Sequence, residues 1–160
     1  MDCYEPTVSG DGRVVAFSSS ANNLTAGVAT INTLNVFKRD VVAGSTTLIT
    51  RGTDGKDVGG SRPMLSEDGK RLVFYSEAAN LVAGDTNKLW DIFVHDQTAG
   101  AITRVSLTNG GGERNQGSES ASRVVAPAIS GNGRVVAFAT TASNMVAGDT
   151  NDAVDVFIKD

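Results

Sequence analysis

The sequence predicts an all-β chain assembled from repeated four-stranded antiparallel units, and three observations carry that prediction. The segment Asn80-Leu81-Val82-Ala83-Gly84-Asp85-Thr86-Asn87 returns as Asn144-Met145-Val146-Ala147-Gly148-Asp149-Thr150-Asn151, sixty-four residues later. A fixed long period marks one supersecondary unit copied along the chain. Short apolar runs rich in β-formers recur in each copy behind an Asp-Gly or Asn-Gly pair, the punctuation of strands and tight turns. Finally, no stretch of ten or more residues shows a helical apolar period with a cap.

The register of the copies is fixed by Pro6, Pro63 and Pro127, which recur at intervals of 57 and 64, as do Phe17, Phe74 and Phe138, and Asn23, Asn80 and Asn144. Residues 63–96 and 127–160 align without a gap, with fifteen identities in thirty-four positions. The extra seven residues of the second interval fall in the Gly/Ser/Asn-rich stretch 109–122, which reads as a loop.

Within a copy, the first strand begins near the proline and ends at Asp11-Gly12, Asp68-Gly69 or Asn132-Gly133. These pairs accept the positive φ of two-residue hairpins. The second strand is Arg13-Val14-Val15-Ala16-Phe17, Arg71-Leu72-Val73-Phe74-Tyr75 or Arg134-Val135-Val136-Ala137-Phe138. Being apolar on both faces, such a run suits a strand covered on both sides. The third spans residues 35–39, 91–95 and 155–159, and turns at Asp40…Gly44 or Asp96…Gly100 into a fourth over 46–51 or 101–107. On this alignment Arg51 and Arg104 occupy the same place in the fourth strand, paired with a neighbouring unit's acid or simply exposed.

Four-stranded units repeated radially are blades of a β-propeller. The motif Pro-x-x-Ser-x-Asp-Gly-Arg-x-Val-Ala-Phe, residues 6–17 here, resembles the repeat of TolB-like propellers, the WD-like repeat. The longer form with Asn-Leu-Val-x-Gly-Asp-Thr-Asn and Asp-Val-Phe-x-x-Asp is similar to repeats of secreted or envelope-associated bacterial proteins. The resemblance spans the whole chain and implies a periplasmic or secreted location. It is specific for fold and says little of activity, because propellers host binding, scaffolding and catalytic roles alike.

The chain thus reads as a single module of about 2.75 blades, roughly 6–60, 61–122 and 123–160, the last lacking its outer strand. Closed propellers use about 4–8 blades. The expectation is a piece of a longer polypeptide; the alternative is a homo-oligomeric ring, for which two copies supply six near-complete blades. A net charge of −4 with signs interspersed leaves no electrostatic footprint for nucleic acid. No eighteen-residue apolar run offers a membrane span, and no signal-peptide pattern opens the chain. The single cysteine, Cys3, excludes an intramolecular disulfide framework and a cysteine-based zinc site.

Strand parity puts the short turns on one rim of the module and the long, polar, variable loops on the other, and function collects on such loops. There, Asp85-x-Asn87-x-x-x-Asp91 repeats as Asp149-x-Asn151-x-x-x-Asp155. Hard cations take several oxygens from one short loop, so Ca2+ is the cofactor expectation, although the sixth-position Gly and closing Glu of an EF-hand are missing. The competing structural reading has these side chains capping their own backbone. The first copy, with Val28, Thr30 and Asn35, is expected not to bind. Trp90, Arg114 and Asn115 are the rim residues a partner would meet, a protein or a surface glycan; Trp90, whose counterparts are Leu34 and Val154, reads first as packing beneath the loop.

A catalytic reading finds little to stand on. The lone His95 has Arg39 and Lys159 as counterparts, the pattern of a solvated strand position. No Gly-x-Ser-x-Gly elbow occurs, and Ser118, Ser120 and Ser122 lie in the linker. The functional expectation is a non-catalytic binding or scaffold module, the alternatives being the propeller part of a prolyl-oligopeptidase-like hydrolase and a self-assembling structural propeller.

Overall fold

The computed structural model describes residues 2–29, 33–116 and 126–160. Thr30, Ser118, Ser120, Ser122 and the boundary between the second and third units lie outside them. The described residues form eleven strands and no helix. The first sheet holds β1 (Cys3–Val8), β2 (Val14–Ser19), β3 (Asn35–Asp40) and β4 (Ser45–Leu48), and the second β5 (Ser61–Leu65), β6 (Arg71–Ser76), β7 (Asp91–Asp96) and β8 (Ala101–Arg104). The third holds β9 (Ala128–Ile129), β10 (Val136–Thr140) and β11 (Asp155–Lys159). Each is an antiparallel meander in chain order, so the three sheets are successive blades of a partial propeller.

The repeated motif explains itself at the first turn of each blade. The Ser9 hydroxyl donates to Asp11 at 2.7 Å and accepts the Val14 N–H at 3.0 Å. Ser66 repeats this with Asp68 and Arg71, and Ser130 with Asn132 and Val135. Gly12, Gly69 and Gly133 take φ of 71°, 67° and 71°, the left-handed region open to glycine. The turn is longer than the two residues expected: the Ser9 N–H closes on the Val14 carbonyl at 2.9 Å, spanning four residues between them. Serine with its Asx partner stabilises that wider turn better than a tight one. Adjacent turns also bond across blades, Gly10 N–H to Glu67 O and Asp68 N–H to Gly131 O. A Cβ on Gly10 would stand 2.8 Å from the Glu67 side chain, so glycine is required by close approach.

The two rims separate as strand parity requires. The β3–β4 turn sits beside the β1–β2 turn, with Val41 N–H on Arg13 O, and Gln97 N–H on Lys70 O repeats this in the second blade. One expected register is corrected. Leu48 pairs with Phe37 and Arg104 with Phe93, so Leu48, not Arg51, is the counterpart of Arg104. Arg51 lies beyond β4, bridged to Asp57 as Leu107 is to Glu113. The shared Ile-Thr-Arg of residues 49–51 and 102–104 misleads because register follows the alternation of faces along the strand rather than a short sequence match.

Burial is concentrated in two seams between blades. The first joins Ala16, Val36 and Ile49 of blade 1 to Leu65, Leu72, Phe74, Leu81 and Phe93 of blade 2. The second joins Val73, Tyr75, Ile92 and Val94 of blade 2 to Val136, Phe138, Ala142 and Met145 of blade 3. Each copy keeps the same aromatic pair: Phe17–Phe37 and Phe74–Phe93 at 5.8 Å, and Phe138–Phe157 at 6.3 Å. The three repeated phenylalanines thus share the same partner within the blade, while Phe74 and Phe138 are buried in the seams and Phe17 is half-buried.

Candidate functional site

The polar groups of the long-loop rim converge on blade 2. Asp85 and Thr86 come from the β6–β7 loop, Asp91 opens β7, Arg104 closes β8, and Glu113 and Arg114 follow the turn beyond it. The Arg104 guanidinium reaches Asp85 at 2.8 Å, Glu113 at 2.9 Å and Asp91 at 3.3 Å, and donates to the Gly84 carbonyl at 3.0 Å. Glu113 accepts from both the backbone N–H and the hydroxyl of Thr86, each at 2.7 Å. The loop is therefore held by its own backbone as well as by charge.

Asp91 is fully buried, and four donors meet its two oxygens. Oδ1 accepts from Ser106 and from Arg114 Nε at 3.1 Å; Oδ2 accepts from Asn87 at 2.9 Å and from Arg104. Arg114 passes on to blade 3 through Thr140 Oγ1 at 3.2 Å. A buried carboxylate is tolerated only when paired and hydrogen-bonded in this way. Burial pushes the Asp85 carboxyl up against the pull of Arg104, with Asp91 and Glu113 adding to the rise. Glu113 is held down to about 2, first by the Thr86 backbone N–H, then by the Thr86 hydroxyl and Arg104.

The expected site residues fall into two groups. Asp85, Asn87 and Asp91 are brought together, but around guanidinium groups. Asn87 donates to Asp91 and its Oδ1 takes the Leu89 N–H at 2.9 Å. Asn151 repeats both bonds, to Asp155 at 3.1 Å and from Ala153 N–H at 2.9 Å. Lys88 and Asp152, the residues that follow, share a left-handed φ of 58° and 52°. The repeated spacing thus builds an Asx-capped turn in both copies. In the third copy Asp149 and Asp155 are half-buried and Asn151 is exposed. Among the described residues no group of three or more His, Cys, Asp and Glu side chains has a metal-holding arrangement.

The rim assignments need one correction. Arg114, expected to face a partner, is 1% exposed and clamped between Asp91 and Thr140, because a guanidinium is the group able to serve an interior carboxylate and a neighbouring hydroxyl together. Trp90 is half-buried and packs into the second seam. Asn115 is exposed, yet its backbone N–H donates to Asn144 Oδ1 and its side chain to Ser143 Oγ. Asn144 returns a bond to Glu113 O at 3.0 Å, and Asn80 reaches Asp54 across the other seam at 3.3 Å. The repeated asparagine is an inter-blade stitch.

Arg104 is the centre of this charged corner, and the alignment with Arg51 gives no sign of it. With Leu48 as its counterpart, the replacement of Leu48, Asn35 and Val58 in blade 1 by Arg104, Asp91 and Arg114 in blade 2 signals a compensated charge set. His95 lies four residues along β7 from Asp91, about 13 Å away at strand spacing. It is half-buried, and burial followed by Lys38 pushes its imidazole down.

No family model matches the chain, and no curated protein matches it in sequence. Solved structures do. A putative TolB from Agrobacterium tumefaciens superposes with a TM-score of 0.55 at 18% identity, over 100% of this chain and 46% of that one. The tricorn protease gives 0.53 at 14%, over 89% of this chain and 11% of that one. The β-propeller domain of the Trilobed protease from Pyrococcus furiosus gives 0.52 at 14%, over 86% and 33%. The fold is that of TolB-like β-propellers, and the chain spans less than half the length of each of these proteins.

Proposed function

We propose that the chain is a non-catalytic β-propeller binding or scaffold module that offers its loop-rich rim to a protein or a surface glycan. One observation supports this above the others. The carboxylates gathered at the rim are paired with guanidinium groups and with loop backbone, which fixes the shape of a surface. Reacting groups would instead converge on a space where a substrate atom can sit. A periplasmic or secreted location belongs to the same proposal and rests on the repeat's resemblance. Array screening against glycans and peptides, followed by titration, tests the reading. A ligand whose affinity falls at least about tenfold, the equivalent of 1.4 kcal/mol, on K88E or N115A is the expected result. Turnover of ester or peptide substrates that disappears in H95A overturns it.

The likeness to protease propellers favours one second reading, in which this module belongs to a larger hydrolase whose chemistry lies in another domain. A Gly-x-Ser-x-Gly elbow in flanking sequence would decide for it. Calcium is retained as part of the proposal only for the third copy. In the second, the guanidinium of Arg104 already neutralises Asp85 and Asp91, so those residues do not fit a metal ion. Asp149, Asn151 and Asp155 line one loop hollow, a set of hard oxygens suited to Ca2+. Melting in millimolar calcium against EDTA tests this: a rise abolished by D149A supports it, and an unchanged melting temperature removes it.

A further inference from the structure

The sequence holds two Asn-Gly pairs, Asn109-Gly110 and Asn132-Gly133, and the fold treats them differently. An asparagine followed by glycine can cyclise, because no Cβ shields the glycine nitrogen from the side-chain amide carbon. In blade 3 that route is shut. Asn132 Oδ1 accepts from Ser130 Oγ at 2.8 Å and from the Arg134 N–H at 3.1 Å. The Gly133 N–H donates to the Ser130 carbonyl at 2.8 Å. Gly133 is buried, with the Arg71 side chain 3.0 Å from where its Cβ would stand. Nucleophile and acceptor are both locked in the first turn of the blade.

Asn109 and Gly110 occupy the centre of the turn beyond β8. The Thr108 carbonyl accepts the Gly111 N–H at 2.9 Å, and the Thr108 N–H donates to the Gly112 carbonyl at 2.9 Å. Both central residues are exposed. Among the described residues neither the Gly110 N–H nor the Asn109 Nδ2 has a hydrogen-bond acceptor. Asn109 Oδ1, by contrast, accepts from Lys159 Nζ of β11 at 3.3 Å. An ammonium there draws electrons from the amide carbon and steadies negative charge developing on its oxygen. The exposure belongs to the turn itself. In blade 1 the same turn, with Gly55 N–H on Gly52 O at 2.9 Å and Gly52 N–H on Lys56 O at 2.8 Å, leaves residues 53–56 exposed although four-stranded blades flank that seam.

We propose that Asn109 is a site of spontaneous deamidation, with water as the co-reactant. A solvent base takes the proton of the Gly110 nitrogen, which then bonds to Asn109 Cγ. The Cγ–Nδ2 bond breaks, and the nitrogen leaves as ammonia after regaining a proton from solvent. The cyclic imide that remains takes up one water at either carbonyl, giving an aspartyl or an isoaspartyl residue. The net change is amide plus water to carboxylic acid plus ammonia. Each product places a negative charge beside Lys159. The isoaspartyl form also adds a methylene to the main chain, in the turn whose Leu107–Glu113 bridge delivers Glu113 and Arg114 to the charged corner. Its accumulation therefore loosens that corner with age.

Peptide mapping by mass spectrometry, on the intact chain held for days in mildly alkaline buffer, reads the reaction directly. Asn109 is expected to convert at least about tenfold faster than Asn132, the equivalent of about 1.4 kcal/mol in activation free energy. Equal rates, or faster loss at Asn132, overturn the proposal. In concentrated urea the two rates should converge, and a contrast that survives there overturns the structural explanation. Gly110 lies outside the left-handed region, and an added methyl would meet only Thr108 Oγ1, at 4.0 Å. G110A should therefore fold normally and slow the reaction about tenfold; an unchanged rate overturns attack by this nitrogen. K159M should slow conversion of Asn109 severalfold and leave Asn132 unaffected, and no change overturns the part given to Lys159. Aged wild type should melt below aged G110A, and equal loss of melting temperature overturns the link to the corner.

Discussion

At matching backbone positions, blade 1 and blade 2 build the same loop corner from different chemistry. In blade 1, Asn35 accepts from Thr50 Oγ1 at 2.9 Å and from Gly59 N–H at 3.1 Å, and the Asp57 carboxylate takes the Ala29 N–H at 3.2 Å. In blade 2, Asp91 accepts from Ser106, and Glu113 takes the Thr86 N–H. The buttressing hydroxyl is kept, with Thr50 receiving Val36 N–H and Ser106 receiving Ile92 N–H. What changes is the charge state: Val28, Asn35, Leu48 and Val58 become Asp85, Asp91, Arg104 and Arg114. Either solution gives the buried side chain that opens the third strand its hydrogen-bond partners, so the fold specifies those partners at this corner and leaves its charge open. The ionic version adds a reach across the seam, through Arg114 to Thr140, that blade 1's valine has no means to make.

Substitutions that strip one partner from the ionic corner break this comparison most strongly. R114L leaves Asp91 buried without its Nε donor and should lower unfolding free energy by about 3–5 kcal/mol, the cost of breaking a buried pair, read from chemical denaturation. R104L, which removes the cation from Asp85, Asp91 and Glu113, should cost about 2–4 kcal/mol on the same grounds. The four-fold exchange D85V/D91N/R104L/R114V transplants blade 1's solution and should recover most of the R114L loss, since replacing a buried ion set by apolar groups is commonly neutral or better. A quadruple variant no more stable than R114L would show that the two corners are not interchangeable.

Smaller effects sharpen the contrast. Glu113, with its folded value depressed to about 2 from an ordinary 4.5, contributes stability that is fully present above pH 4.5. That contribution is lost as pH falls from there through about 2. Asp85, raised by burial, works in the opposite sense and favours the folded state where its carboxyl protonates. Acid titration of the melting temperature should therefore flatten below pH 4.5 in E113Q and steepen in D85N. Smallest are the stitches. N144A removes a donor to Glu113 O and an acceptor for Asn115 N–H and should cost about 1–2 kcal/mol, against about 0.5 kcal/mol for N80A, whose side-chain bond is single and longer.

Much of the architecture was legible in the residues because it is local. The Ser-x-Asp/Asn-Gly turn and the Asn-x-x-x-Asp turn are each settled within a few positions, and the repeat supplies three views of the first and two of the second. The rim was harder. Arg104 and Arg114 reach Asp91 from 13 and 23 residues away, and an Arg beside a loop reads as solvated unless the interior carboxylate it serves is already known. The displaced alignment of Arg51 with Arg104 compounded this by concealing that Leu48 is an apolar residue where blade 2 has a cation. The packing of the half-buried Trp90 into the second seam accords with its apolar counterparts Leu34 and Val154.

The seams have a consequence for how the polypeptide comes into being. Among the described strands every ladder joins neighbours in the chain, so each paddle can zip up as soon as its last strand leaves the ribosome, without waiting for the next. Cohesion between paddles arrives later and from one side only: a lone first paddle exposes Ala16 and Val36 until the second emerges to cover them. Nascent molecules paused in that interval are sticky along one flank, and slowing translation between the first and second copies is expected to lower soluble yield more than slowing it within either.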